Sequence, residues 1–282
     1  MENDIHDFWQ SHSCGADLVG DLSADDRNEY EQFFERYDQY RYAKEPHILK
    51  NIDAIEWQGK KVLEIGLGQG SDAEQIVRRG GVYNGIDLTD ESVRRVLMRF
   101  SLKELPFERI EQASALDIPF ADDTFDIVYS HGVLHHIPEI KGAQVEIARV
   151  LKPDGKLIAM LYAKWSLNYL LSIFVLRRLG LAGMYALGLR GRGIYAAHLK
   201  NARAIGIGKY LSMNNFINVS TDGPFNPYSK VYGPREVVED FPDFEILASH
   251  KEFMHAPPLP VSFLPLSGVL GWHLWVEMAP KK

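Results

Sequence analysis

The stretch VLEIGLGQGSDAEQI, residues 62–76, constrains this chain more than any other part of it. An apolar run at 62–65 leads into Gly66, Gly68 and Gly70, spaced two apart, and then into a helical pattern over 71–79. Glycines at such a place let the backbone turn tightly and let a ligand lie against main-chain N–H groups at a helix N-terminus. A second apolar run at 82–86 ends at Asp87, 21 residues past Gly66. A carboxylate there can accept from both hydroxyls of a ribose; the same residue type is equally an ordinary helix N-cap. The dinucleotide fingerprint G-x-G-x-x-G asks for Gly or Ala where Ser71 stands, so E-x-G-x-G-x-G is the better description.

The alternation continues. A helix is expected over 91–102, a short strand near Ile110, a strand over 125–129, a helix over 141–151 and a strand over 156–162. Pro153, Asp154 and Gly155 are turn residues that should separate those last two. Strands alternating with helices call for βαβ units and a parallel sheet. The expected fold class is therefore α/β, Rossmann-like, with seven mainly parallel strands, helices on both faces and a C-terminal antiparallel hairpin. That hairpin is drawn from runs at 244–249 and 271–278 that follow a helix at 234–241. A helical insertion follows the fifth strand, from 165 to about 220. Before the core, a helix is expected from 25 to 50, where Tyr30, Phe33, Phe34, Tyr37 and Tyr40 recur at three- and four-residue spacing. The resulting division is a helical leader or lid at 1–55, a core at 56–163, an acceptor-side cap at 164–232 and completion of the sheet at 233–282.

The pieces VLEIGLGQGSDAEQI, GIDLTDESV, ALDIPFADDTFDIVYSHGVLHHIPE and RVLKPDGKLIAMLY, in order over about residues 60–163, resemble the class I S-adenosylmethionine-dependent methyltransferases. The likeness is to their small-molecule branch, which includes the quinone methyltransferases. The resemblance implies S-adenosyl-L-methionine as cofactor. It implies that Glu64, Gly66, Gly68 and Gly70 approach the methionine part, that Asp87 holds the ribose and Leu88 faces the adenine. Asp117 and Ile118 would meet the adenine edge, and Ser130 would sit by its backbone beside the sulfonium. In related enzymes N-terminal helices fold over the cofactor, so Arg41 with Tyr37 is a candidate clamp for the methionine carboxylate, and Phe8 and Trp9 belong to the same lid. An Arg in a surface ion pair among core tyrosines is the competing reading.

Methyl transfer from a sulfonium needs alignment above all, and a base only where the acceptor arrives protonated. The segment SHGVLHHIPE offers His131, His135 and His136 just past the fourth strand, the end at which open α/β sheets bind ligands. His131 and His135 are taken as the acid/base candidates, against a packing role. No metal site is expected: one cysteine, Cys14, excludes disulfides and multi-thiolate sites, and His12 with Cys14 makes a poor ligand pair.

Charge is unevenly placed. The 282 residues carry −7 overall, yet between Asp154 and Asp222 there are nine cations and no acid, leaving −16 on the remainder. A basic, apolar, helical segment suits an anionic or hydrophobic small-molecule acceptor, an anionic membrane surface, or a self-complementary interface that makes a homodimer. Tyr228, Lys230 and Tyr232 are the substrate-side candidates, and are equally an ordinary strand. The start MENDIHDFWQ has no signal-peptide pattern, and the greasy run 165–176 is broken by Arg177 and Arg178. No transmembrane segment is expected, and the lone cysteine suits the cytoplasm.

The leading function is therefore methyl transfer to O, N or C of a small molecule. Non-methyl chemistry on the same cofactor, such as cyclisation, and a non-catalytic cofactor-binding or scaffold protein stand as alternatives. Nucleic acid is not expected as a partner: Ser130-His131-Gly132-Val133 stands where nucleic-acid amino methyltransferases carry Asn/Asp-Pro-Pro-aromatic, and the chain is acidic. Arsenic methylation needs several thiolates.

Overall fold

A computed structural model describes residues 1–12 and 27–281. It opens with helix α1 (Glu2–Ser11), which the sequence reading had not drawn; its Ile5 and Phe8 are buried. Cys14, and with it the His12–Cys14 pairing, lies outside the described residues, as do the first two residues of the long leader helix expected from position 25. That leader is two helices, α2 (Arg27–Lys44) and α3 (His47–Asp53). The break falls at Pro46, which has no N–H to donate to the preceding turn.

The core follows the expected alternation: β1 (Lys61–Ile65), α4 (Ser71–Arg78), β2 (Val82–Asp87), α5 (Asp90–Lys103), β3 (Arg109–Gln112), β4 (Phe125–His131), α6 (Ile140–Val150) and β5 (Leu151–Tyr162). The Pro-Asp-Gly sequence proves to be a bulge inside β5 rather than a turn before it. Phe125 pairs with Leu151, then Ile127 with Lys156, so the extra residues loop out between two ladder pairs. A helix begins with a wide π-type stretch over Asn168–Arg177 and runs on as α7 (Arg178–Ala186); α8 (Ile194–Ile205) and α9 (Met213–Thr221) complete the insertion. Then come α10 (Pro234–Asp240), β6 (Phe244–Glu252) and β7 (His273–Pro280).

The sheet has seven strands in the order β3-β2-β1-β4-β5-β7-β6. The first five are parallel, and β7 lies antiparallel between β5 and β6. β1 pairs with both β2 and β4, so the chain winds outward in opposite directions from that point. The loops after β1 and β4 therefore part and leave a crevice at the carboxyl ends of the strands.

Alternate residues of β5 serve opposite faces. Leu157, Ala159 and Leu161 join a core with α6 and α10, while Ile158 and Met160 join one with α3, α4 and α5. The insertion has its own core of Ile173, Leu181, Leu199, Ala202, Tyr210 and Phe216, seated on Tyr162 and Trp272.

The leader is fastened to the glycine loop by Arg99 of α5, which is fully buried. Its Nη1 donates to Asp38 Oδ2 (2.7 Å) and Glu74 Oε2 (2.8 Å), and its Nε to the Gln69 carbonyl (2.8 Å). Removing one partner of such a group strands the buried carboxylates left behind. Arg99→Met should cost about 3–5 kcal/mol of unfolding free energy, read by guanidinium denaturation, whereas a loss under about 1 kcal/mol would show that the network does not fasten the leader.

Candidate active site

The crevice is a cleft of about 1200 Å³ counted to its mouth. Its floor is the glycine loop, and its walls are residues 86–89, 113–116, 131–133 and 136–139. Glu2, Ile5 and Trp9 of α1 close over it, and Tyr37 and Arg41 of α2 enter from one side. The Ser114 hydroxyl donates to the Glu2 carboxylate, fixing α1 to the wall.

Two of the three glycines face the cleft. Gly66 has φ +84° and a Cβ there would lie 2.1 Å from Val133 Cγ2; Gly68 has φ +50°. Gly70, also left-handed, does not line the cleft: it is the residue from which α4 starts, packed on Val96 and Arg99.

Three acids stand at the floor. Asp87 Oδ1 accepts from the Thr89 amide (2.8 Å) and hydroxyl (2.7 Å), and Oδ2 from the Leu67 amide (2.7 Å). Burial still raises its pKa above the ordinary value, against these bonds and one from the Gly68 amide. Asp87 thus holds the loop as well as facing the cleft, and the Thr89 hydroxyl can instead give its proton to Ser92 Oγ (2.9 Å). Glu64 accepts from Tyr83 (2.5 Å), and burial followed by the nearby Asp72 pushes its pKa well up. Asp72, which the sequence reading passed over, takes Arg41 Nη2 on both oxygens (3.0 and 2.8 Å) and the Tyr129 hydroxyl (3.1 Å). Burial is the largest single effect and works against the Arg41 charge, but Asp72 together with Tyr37, Tyr42 and Glu45 holds the guanidinium above its ordinary pKa. Arg41 Nε is buried without a partner.

The histidines separate. His131 lines the cleft, and its Nδ1 accepts from Arg41 Nη2 (3.2 Å), which leaves the proton on Nε2. Burial, then Arg41 and His47, hold it neutral. As a base it is therefore blocked on the side that Arg41 occupies. His135 is fully buried, its ring centre 3.8 Å from that of Tyr162 at a 33° tilt, and absent from the cleft wall, so the acid/base role expected of it gives way to packing. His136, which the sequence does not single out as an acid or base, lines the cleft. Its Nδ1 donates to the Tyr228 carbonyl (2.8 Å), and its Nε2 is turned to Asp222 at 3.5 Å. Trp9 meets its ring edge-on at 5.1 Å.

Several expected residues lie elsewhere. Leu88 lines the cleft, but Asp117 and Ile118 do not: Ile118 is in the core with its amide on Glu146, and residues 113–116 form that wall. Ser130 is buried beneath the cleft, its hydroxyl on the Ile65 carbonyl (3.0 Å). Lys230 (2.5 Å) and Tyr232 (3.0 Å) both bond Asp240, and Tyr228 contributes its carbonyl to His136, so this segment buttresses the site from behind. No residue of 164–232 lines the cleft, and Arg41 is its one cation among the described residues. The nine cations between Asp154 and Asp222 therefore do not serve to draw an anion into it. Among the described residues no cluster of three or more His, Cys, Asp or Glu is placed to hold a metal.

Residues 63–159 match a family model described as a methyltransferase domain. A fatty-acid O-methyltransferase of Mycolicibacterium smegmatis is 36% identical over 100 residues, 35% of this chain and 35% of that protein. A sterol 24-C-methyltransferase of Gibberella zeae is 34% identical over 116 residues, 40% of this chain and 30% of that one. The match thus spans about a third of the length of these curated relatives. A solved S-adenosylmethionine-dependent methyltransferase of Mesorhizobium loti shares the fold, with TM-score 0.53 over 84% of this chain and 97% of that one at 12% identity. Residues 63–159 thus match a methyltransferase domain on a fold shared with S-adenosylmethionine-dependent methyltransferases. The implied cofactor is S-adenosylmethionine, and the cleft fits it: glycines leave the floor bare, Glu64 and Asp87 suit its cationic and hydroxyl groups, and Arg41 keeps an unpartnered N–H for its carboxylate.

Two outcomes follow. Gly66→Ala puts a methyl group against Val133 and strains a left-handed residue; calorimetry should find cofactor affinity lowered by roughly tenfold or more, and unchanged affinity would refute the floor. Stability should also fall in acid beyond what carboxylates explain. Burial holds His131, His135 and His273 well below the ordinary imidazole pKa, and His47, His198 and His255 down to about 4. The unfolded chain protonates these groups below about pH 6.5. Stability present above that pH should therefore drain away between about pH 6.5 and 4, which melting curves across the range will test.

Proposed function

We propose that the protein transfers a methyl group from S-adenosylmethionine to an O, N or C atom of a small, largely apolar molecule. The observation that carries this reading is the wall of the cleft. Ile5, Trp9, Val133, Ile137 and Pro138 give it an apolar lining, and its one Lys or Arg among the described residues, Arg41, is held by Asp72, which leaves little to recognise an anionic acceptor. The names of the relatives, acting on a fatty acid and a sterol, point the same way.

When bound, the cofactor supplies an electrophilic methyl group on a positively charged sulfur. Gly66 and Gly68 admit its methionine part against the backbone, and Glu64 faces the cationic groups. Arg41, positioned by Asp72 and Tyr37, directs its free N–H to the carboxylate. Asp87 would hold the ribose, with the Thr89 hydroxyl able to bond Ser92 instead, and residues 113–116 would border the adenine. Trp9 and Ile5 keep water from the acceptor. His136 borders the acceptor space with Nδ1–H bonded to the Tyr228 carbonyl and Nε2 turned to Asp222, so both nitrogens face partners in the protein and its part is to wall and position the site.

Incubation with labelled cofactor and a panel of lipid-like alcohols, acids and amines should give a methylated product with one S-adenosylhomocysteine per turnover. Methylthioadenosine instead would establish other sulfonium chemistry, and absence of cofactor binding would leave a scaffold. The ionised form of Glu64 attracts the cationic cofactor, and its pKa is raised. Affinity should therefore strengthen as pH rises through that pKa, and Glu64→Gln should weaken binding by roughly tenfold and flatten the profile. A pH profile unaltered by Glu64→Gln would remove Glu64 from this role.

A further inference from the structure

We propose that the insertion docks this protein on the surface of an anionic phospholipid bilayer. The helix spanning Asn168–Ala186 is long and apolar enough by length and composition to cross a membrane, although the sequence reading, stopped by Arg177 and Arg178, expected no such segment. Its other contacts keep it on the protein. Arg177 donates to the Ser220 (2.5 Å) and Pro257 (3.3 Å) carbonyls, the Ser172 hydroxyl bonds Pro257, and Ile173 and Leu181 lie in the insertion core. One face is thus anchored, while Leu170, Phe174 and Leu179 on the same helix are exposed.

The link from this helix to α8 carries the pattern furthest. Leu187 is 75% exposed, Leu189 47% and Ile194 53%. Between them stand Arg190 and Arg192, whose side chains, like those of Lys200 and Lys209 further on, make no hydrogen bond or ion pair among the described residues. Protruding leucines interleaved with unpaired cations suit the interface of a bilayer, where the side chains enter the acyl boundary and the charges meet headgroup phosphates.

Charge decides the occupant. No acid occurs between Asp154 and Asp222, and the remainder of the chain carries −16. An anionic surface therefore attracts this segment and repels the rest, which orients the molecule. A two-fold dimer through the same patch would set these unpaired cations against their own copies, with no acid in the segment to neutralise them. The cleft is not the destination of these charges either, since no insertion residue lines it.

The test is flotation of the full chain with vesicles of phosphatidylcholine alone or with about a third phosphatidylglycerol, at low and high salt. Binding should require the anionic lipid, weaken in high salt, and fall by roughly tenfold or more in Leu187→Asp/Leu189→Asp and in Arg190→Glu/Arg192→Glu. Both variants change exposed side chains, so their melting temperature and cofactor affinity should stay at wild-type values. Equal partition onto neutral and anionic vesicles, no partition onto either, or a lipid-free dimer that Leu187→Asp/Leu189→Asp dissociates would each overturn the proposal.

Discussion

A guanidinium without solvent exposure, that of Arg99, ties together three helices that apolar packing alone brings side by side. It takes Asp38 from α2, Glu74 from α4 and the Gln69 carbonyl from the glycine loop, and lies 4.4 Å over the Phe34 ring. A buried charge tolerates no missing partner, so the leader, the loop and α5 hold one arrangement. From that fixed α2, Arg41 reaches Asp72 at the mouth of the same loop. Two arginines thus convert an aromatic helix at the start of the chain into a wall of the cleft.

The cleft and the exterior have opposite electrostatic characters. Inside, Glu64, Asp72 and Asp87 face one cation, an arrangement that discriminates for a positively charged ligand. Outside, the insertion carries unpaired cations beside exposed leucines. The two do not mix because the insertion builds its own core on Tyr162 and Trp272 and leaves the cleft to α1. A chain with a mild net charge can therefore present an acidic cavity and a basic surface at once.

The parallel sheet was legible because βαβ units write themselves locally: apolar runs, glycine or turn residues, then helical periodicity. Gly66, Gly68, Asp87, Leu88 and Glu64 were legible for the same reason, since their positions are fixed by the strand ends on which they sit. His135 misled because adjacent histidines in a loop differ only in which way each ring turns, and packing on Tyr162 turns this one inward. Tyr228, Lys230 and Tyr232 misled because Asp240, remote from any motif, claims two of them. Asp72 looked like any acid in the first turn of a helix, and nothing local foretold that an arginine 31 residues earlier would meet it.

The sequence by itself determined the fold class, the glycine-floored loop and the charge asymmetry, because each depends on residues close together in the chain. Tertiary structure alone decided which two of three histidines line the cleft, that α1 covers it, and that the basic segment takes no part in it. Those are matters of direction. A side chain's direction is set by partners far along the sequence, through burial and hydrogen bonds that no local spacing encodes.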